Sequence, residues 1–212
     1  FHRGDRLSGR KVIAIRLRAM GEKKESYWTG GFSGRTTTDW RKSRAQSGGG
    51  VIITNLIHHI DLARAITGLE VTRAFAETGT FCTDVEVEDF GLASLRYDND
   101  AIGSVEGASC FFGGSTDFDF ALLGTKGQVR FGLFNGKAEA FLPEAADDLP
   151  AGEWSTRQFD DKVHVEFYNE LAAALRAGRT PPVTGLDGRK ALEVVLAIYR
   201  SADTSQPVAL PL

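Results

Sequence analysis

His58 is the side chain in this sequence best suited to moving a proton. An imidazole, with a pKa near ~6.5, takes a proton from a substrate hydroxyl at neutral pH without large perturbation. It lies in the stretch GGGVIITNLIHHID, Gly48 to Asp61, where helical spacing sets Thr54 one turn before it and Asp61 three residues after it. Either residue can hydrogen-bond one ring nitrogen and leave the other for chemistry, although Asp61 is spaced equally well to pair with Arg64. His59 projects about 100° away from His58 around a helix and reads as structural. The same divergence argues against a metal: zinc takes three or four ligands, and adjacent histidines on a helix do not converge. Trp40-Arg41 stands just before the glycine run, where an indole covers the apolar face of a sugar and a guanidinium grips hydroxyls or carboxylates. Packing of Trp40 against the helix fits the sequence as well. Arg16 is a weaker substrate-binding candidate, on a strand face that also reads as solvated.

Other chemistries lack their residues. GGFSG at 30–34 and GTKGQVRFG at 124–132 do not have the GxGxxG spacing of a dinucleotide fingerprint, and no GxSxG elbow is present. Cys82 and Cys110 have no paired metal-ligand spacing; both fall in strand-like segments and are expected as buried free thiols. With 25 Lys+Arg against 28 Asp+Glu, the net charge of −3 argues against a nucleic-acid partner. No apolar run reaches the ~18 residues of a membrane span, and no signal-peptide core opens the chain, so a cytoplasmic location is expected. The sequence starts at Phe1 directly before a strand, which reads as a piece of a longer protein.

The elements that must position these residues follow from periodicity. Ile13, Ile15 and Leu17 alternate along a strand with one buried face, and an irregular stretch from 21 to 49 follows. Residues 50–67 form a helix with the apolar stripe Ile53, Leu56, Ile60 and Ala63, stopped at Gly68. Strand-like runs come next at 70–82, 87–97, 101–112, 117–123 and 128–134, with turns at DND 98–100 and GTKG 124–127. Gly103 and Gly107 fit a strand only where something packs closely on it. Residues 143–161 read as a surface excursion. Val163, Phe167, Leu171 and Leu175 mark one closing helix; Thr184 and Asp187 cap a second that carries Leu192, Val195 and Tyr199, and 207–212 is an extended tail. The fold class is α+β: an open, predominantly antiparallel sheet with helices on one face, and a second subunit covering the other.

GGGVIITNLIHHIDLARAITG resembles the signature helix of the Gfo/Idh/MocA oxidoreductases, glucose-fructose oxidoreductase, inositol dehydrogenase and their relatives. WR at 40–41, EDFGLASLRYDNDAIGSVEGA, GTKGQVRF and the ending from PPVTGLDGRKALEVV match as well. The resemblance implies that residues 1–212 are one C-terminal substrate-binding and oligomerisation domain. A Rossmann domain holding NAD or NADP, with the lysine of an EKP-type motif, would precede it; Glu22-Lys23-Lys24 is no substitute. His58 matches the family's catalytic histidine and Asp61 the aspartate that follows it. Thr54 falls where Asp or Asn is usual, and its hydroxyl can hydrogen-bond substrate but cannot act as a carboxylate base. The implied function is oxidation of a sugar, cyclitol or polyol by a homodimer or higher oligomer, the fragment alone being inactive. A redox-neutral lyase or hydrolase that retains the cofactor, and a non-catalytic sugar-binding or regulatory module, are the alternatives.

Overall fold

Strand β1 (Val12–Met20), the first among the described residues, lies inside the sheet rather than at its edge. In the computed structural model, which describes residues 11–30, 37–113, 118–133, 136–145, 149–158 and 163–212, β1 pairs in parallel with β4 (Ile102–Ala108) and antiparallel with β5 (Phe120–Gly124). On one side β4 continues through β3 (Phe90–Tyr97) and β2 (Val71–Gly79) to β9 (Val208–Ala209). On the other, β5 continues through β6 (Gly127–Phe131) and β7 (Lys137–Phe141) to β8 (Trp154–Gln158). Every neighbouring pair other than β1 and β4 is antiparallel, which is the expected open sheet.

Two differences from the sequence reading have local causes. Ile13 is 47% exposed, although Ile15 and Leu17 are buried. Opposite β5, the pairing steps from Val12 with Gly124 to Ala14 with Leu123, so Ile13 is the extra residue of a bulge and turns outward. The 143–161 segment is not only an excursion: β8 lies within it, and the expected tail supplies β9 against β2.

The irregular stretch after β1 carries two short helices, α1 (Glu25–Thr29) and α2 (Arg44–Ser47). The site helix then opens with a π-helical turn (Ile52–Leu56) that leads into α3 (Ile57–Thr67). The extra residue in that turn moves the apolar stripe: Val51, Ile52, Leu56, Ile60 and Ala63 are buried, while Ile53 is only half-buried. Gly107 shows why a glycine sits in β4, since a Cβ there would come within 2.6 Å of Leu56 Cδ1 and 3.1 Å of both Val51 methyls. Leu56 is fully buried, which stabilises the helix on the sheet by about 1.5–3 kcal/mol. At Gly103 the close neighbours are Tyr97 and Leu95 of the adjoining strand.

Helix α5 (Gly185–Thr204) packs against β2 and α3 through Ala191, Val194, Val195 and Ile198, and the Thr184 N–H donates to the Asp187 carboxylate at its start. Helix α4 (Val163–Arg176) forms as the spacing predicts, yet Tyr168 and Leu175 remain exposed. The helices lie on one face of the sheet. The opposite face shows Arg16, Phe75, Leu92, Ser94, Ile102 and Ser104 to solvent. Among the described residues no helix is long and apolar enough to cross a membrane.

Candidate active site

The three glycines that open the site helix are close-approach residues. Gly48 ends α2 in the left-handed region at φ 79°, which glycine adopts without a Cβ penalty. A Cβ on Gly49 would overlap the Tyr199 hydroxyl, and one on Gly50 would overlap the Glu88 backbone oxygen. Glu88 and Tyr199 use that proximity to hold the first turn. The Glu88 carboxylate, 8% exposed, accepts the Gly50 N–H at 2.8 Å, the Ile52 N–H at 3.0 Å and the Tyr199 hydroxyl at 2.8 Å. Tyr199 Oη in turn accepts the Ile53 N–H at 3.2 Å. A buried anion therefore satisfies helix N–H groups that would otherwise be orphaned, at the positive end of the helix dipole. Burial, reinforced by the adjacent Glu88 carboxylate, pushes the Tyr199 phenol far above its ordinary pKa, so its hydroxyl stays a donor.

The π turn falls where Thr54 stands. The Ile57 N–H reaches back five residues to the Ile52 carbonyl. Thr54 Oγ1 donates to the Gly50 carbonyl at 2.7 Å and lies 3.1 Å from Asn55 Oδ1, so its proton is engaged within the turn. His58, at the next turn, is exposed, and among the described residues neither ring nitrogen has a hydrogen-bond partner. Thr54 and Asp61 therefore do not orient its ring by direct bonds. Asp61 leans toward Arg64 at 3.6 Å, while Arg64 makes its shorter bonds to Glu70, both at 2.9 Å. Burial raises the Asp61 carboxyl above its ordinary pKa; Arg64 opposes that rise and Asp187 adds to it.

His59 is 1% exposed and faces into the domain. Its Nδ1 lies 3.3 Å from the Asn55 carbonyl oxygen, and its Nε2 lies 3.5 Å from Asp119 Oδ2, an electrostatic contact without hydrogen-bond geometry. Trp40 is 37% exposed, and the Arg41 guanidinium stacks 4.5 Å above it and 4.9 Å from the Tyr27 ring. Arg41 also donates to the Gly30 carbonyl at 2.8 Å, which makes it a fastener of the segment after β1 as well as a surface cation. Arg16 is not brought to this site: it projects from the face of the sheet opposite the helix that carries His58. Glu88 and Tyr199 are the residues that sequence reasoning missed. Their partners lie 38 and 111 residues away along the chain, and no local pattern marks such a pair.

With the fold and this helix in view, likeness to known proteins sharpens the class. The model of the GFO/IDH/MocA C-terminal domain matches residues 14–130, more than half of the chain, and the chain belongs to that family. A scyllo-inositol 2-dehydrogenase (NAD(+)) of Bacillus subtilis is 28% identical over 173 residues, covering 76% of this chain and 48% of the relative. A myo-inositol 2-dehydrogenase of Thermotoga maritima is 26% identical over 170 residues, covering 76% and 49%. The crystal structure of the WlbA dehydrogenase from Bordetella pertussis, in complex with NADH and UDP-GlcNAcA, superposes with a TM-score of 0.71 at 24% identity, covering 95% of this chain and 56% of that one. The chain thus spans about half the length of the curated relatives it matches.

The start of the site helix does not offer a dinucleotide a seat for its phosphates. The N-terminus of the site helix is the natural seat for a phosphate. Here Glu88 fills it with a carboxylate that already takes the Gly50 and Ile52 N–H groups. The glycine run thus serves close packing rather than nucleotide binding.

Proposed function

We propose that this domain is the substrate-facing half of an NAD- or NADP-dependent oxidoreductase acting on a sugar, cyclitol or related polyol, in which His58 removes the proton of the reacting hydroxyl. The position of His58 supports this reading most: an exposed imidazole with no hydrogen-bond partner among the described residues, on a helix whose start is braced by Glu88 and Tyr199. Such a side chain is placed to meet a substrate on a rigid mount. Thr54 spends its proton on Gly50 and keeps oxygen lone pairs that can accept from a substrate hydroxyl. Asp61 adds negative charge on the same side of the helix, and the exposed edge of Trp40 suits the apolar face of a sugar ring. The inositol dehydrogenases and the NADH-bound relative support the substrate and cofactor class. The dinucleotide would be held by residues outside this domain, so proton transfer is this domain's share of the chemistry. Two copies would associate through the open sheet face, where Phe75, Leu92 and Ile102 are exposed.

The test is dehydrogenase turnover of the full-length protein on a panel of inositols and aldoses with NAD and NADP. Substitution His58→Ala should cut kcat by about 10²–10⁴; unchanged turnover refutes the assignment. A second reading, a sugar-binding module without turnover, is favoured by the hydroxyl of Thr54 at a position where Asp or Asn is usual in the family. Saturable sugar binding with no cofactor reduction would select it.

A further inference from the structure

Cys82 and Cys110 are not the buried thiols that their strand-like surroundings suggest: Cys82 is exposed and Cys110 half-buried. Cys82 lies in the connection between β2 and β3, and Cys110 follows β4, where it bridges to Glu22. Because β3 pairs with both β2 and β4, the register aligns Gly79, Phe90 and Ala108 and brings the two cysteine-bearing ends together. Asp89, fully buried, pins the Cys82 loop by accepting the N–H groups of Phe81 at 2.8 Å, Cys82 at 2.7 Å and Thr83 at 3.0 Å, and the Thr83 hydroxyl at 3.1 Å. The two sulfur atoms and an Asp89 carboxylate oxygen lie within 4.8 Å of one another.

We infer that Cys82 and Cys110 form a redox-active dithiol that closes reversibly to an intramolecular disulfide. A metal ion fits less well. Asp89 Oδ2 already takes three donors and Oδ1 one, so even with an Asp89 oxygen the group offers at most three ligands to an ion such as zinc, which takes four in a closed site. Bond formation asks for side-chain rotation that brings the sulfurs from within 4.8 Å to about 2.05 Å. With glutathione disulfide as oxidant, the exposed Cys82 thiolate attacks one of its sulfurs, and one glutathione leaves as thiolate. Cys110 then gives its proton to water and attacks Cys82 Sγ, which breaks the mixed disulfide and releases the second glutathione. Two protein thiols are oxidised and one glutathione disulfide is reduced to two thiols. Burial, with the Cys82 thiol beside it, pushes the Cys110 thiol up to about 11, which leaves the first attack to the exposed Cys82. The bridge would fasten to β4 the segment that carries Glu88, and with it the frame of the site helix. This inference does not depend on the reaction proposed for His58.

Intact mass of the protein, denatured without reductant after incubation with glutathione disulfide, tests it. The expected product is lighter by two hydrogens, carries no adduct, and reverts with dithiothreitol. Cys110→Ser should stop at a single glutathione adduct, and Cys82→Ser should react about tenfold more slowly or less than that. A wild-type product that keeps glutathione on each cysteine, or that does not react at all, overturns the inference. So does a stoichiometric zinc ion that protects both thiols from alkylation, since that outcome makes the pair a metal site.

Discussion

Removal of the Glu88 carboxylate is the sharpest test of how the site helix is held. Glu88→Ala strands the Gly50 and Ile52 N–H groups, which lie 2.8 and 3.0 Å from the carboxylate, and deprives the Tyr199 hydroxyl of its acceptor at 2.8 Å. Hydrogen bonds to a charged group contribute about 1.5–3 kcal/mol each, and a phenol can turn toward another acceptor where a backbone N–H cannot. Two stranded backbone donors then set a loss of about 3–6 kcal/mol, a large fraction of the stability of an ordinary domain. For a chain of this size that corresponds to a fall in Tm of about 6–24 °C. Glu88→Gln keeps one acceptor oxygen but turns an amide N–H toward a backbone donor, so its loss should be smaller, about 1–3 kcal/mol. Tyr199→Phe should cost about 1–2 kcal/mol and should be non-additive with Glu88→Gln, because the two groups share a bond. Urea and thermal unfolding followed by circular dichroism measure all of these. If Glu88→Ala melts within about 1 kcal/mol of wild type, the carboxylate does not brace the helix.

Further outcomes follow from the same contacts. Gly107→Ala places a methyl group 2.6 Å from Leu56 Cδ1 and should cost about 1–3 kcal/mol, whereas Gly50→Ala meets the rigid Glu88 backbone and should cost more; the order of their melting temperatures checks this. His58→Ala removes an exposed side chain, so it should leave stability within about 0.5 kcal/mol while it cuts kcat by about 10²–10⁴, which separates a chemical role from a structural one. The Arg64 hydrogen bond holds the Glu70 carboxyl below its ordinary value of 4.5, with Lys190 adding to the effect. The unfolded chain then binds more protons in mild acid, so the contribution is complete above about pH 4.5 and is lost as pH falls through the lower, folded value. Glu70→Gln should therefore show a flatter loss of stability on acidification than wild type. Leu92→Lys combined with Ile102→Lys should shift the protein toward monomer in size-exclusion chromatography, and an unchanged elution position would remove the open face from the proposed interface.

What could be read from the sequence was local. The glycine run, the apolar stripe from Leu56 to Ala63 and the Gly68 stop all lie in or directly beside one helix, where the local pattern of residue types reports them. The π turn escapes that reading because one extra residue changes no residue type; it only moves burial from Ile53 to Val51 and Ile52. Strand β8 escapes for the opposite reason, since WSTRQ carries a single large apolar residue and pairs only at an edge. Helix α4 was legible, but that Ala174 is buried while Leu175 stays exposed was not, because periodicity specifies a face and never its partner. Arg16 was rightly placed on a polar strand face, yet only the packing of α3 shows that this face points away from His58. Glu88, Tyr199 and the two cysteines acquire meaning through contacts across the chain.

The position of β1 has a consequence for the chain during synthesis. Its neighbours are β4 and β5, which end at Ala108 and Gly124, so β1 waits until the chain has reached Gly124 before both of its sides are paired. Until then Ile15 and Leu17 have no core to enter, and the antiparallel ladders on either side each present an open edge toward the missing strand. Pairings of such long sequence separation form slowly and carry the largest loop-closure cost. β1 is in this sense the seam of the molecule: the two ladders become one sheet only when this earlier strand is sewn between them.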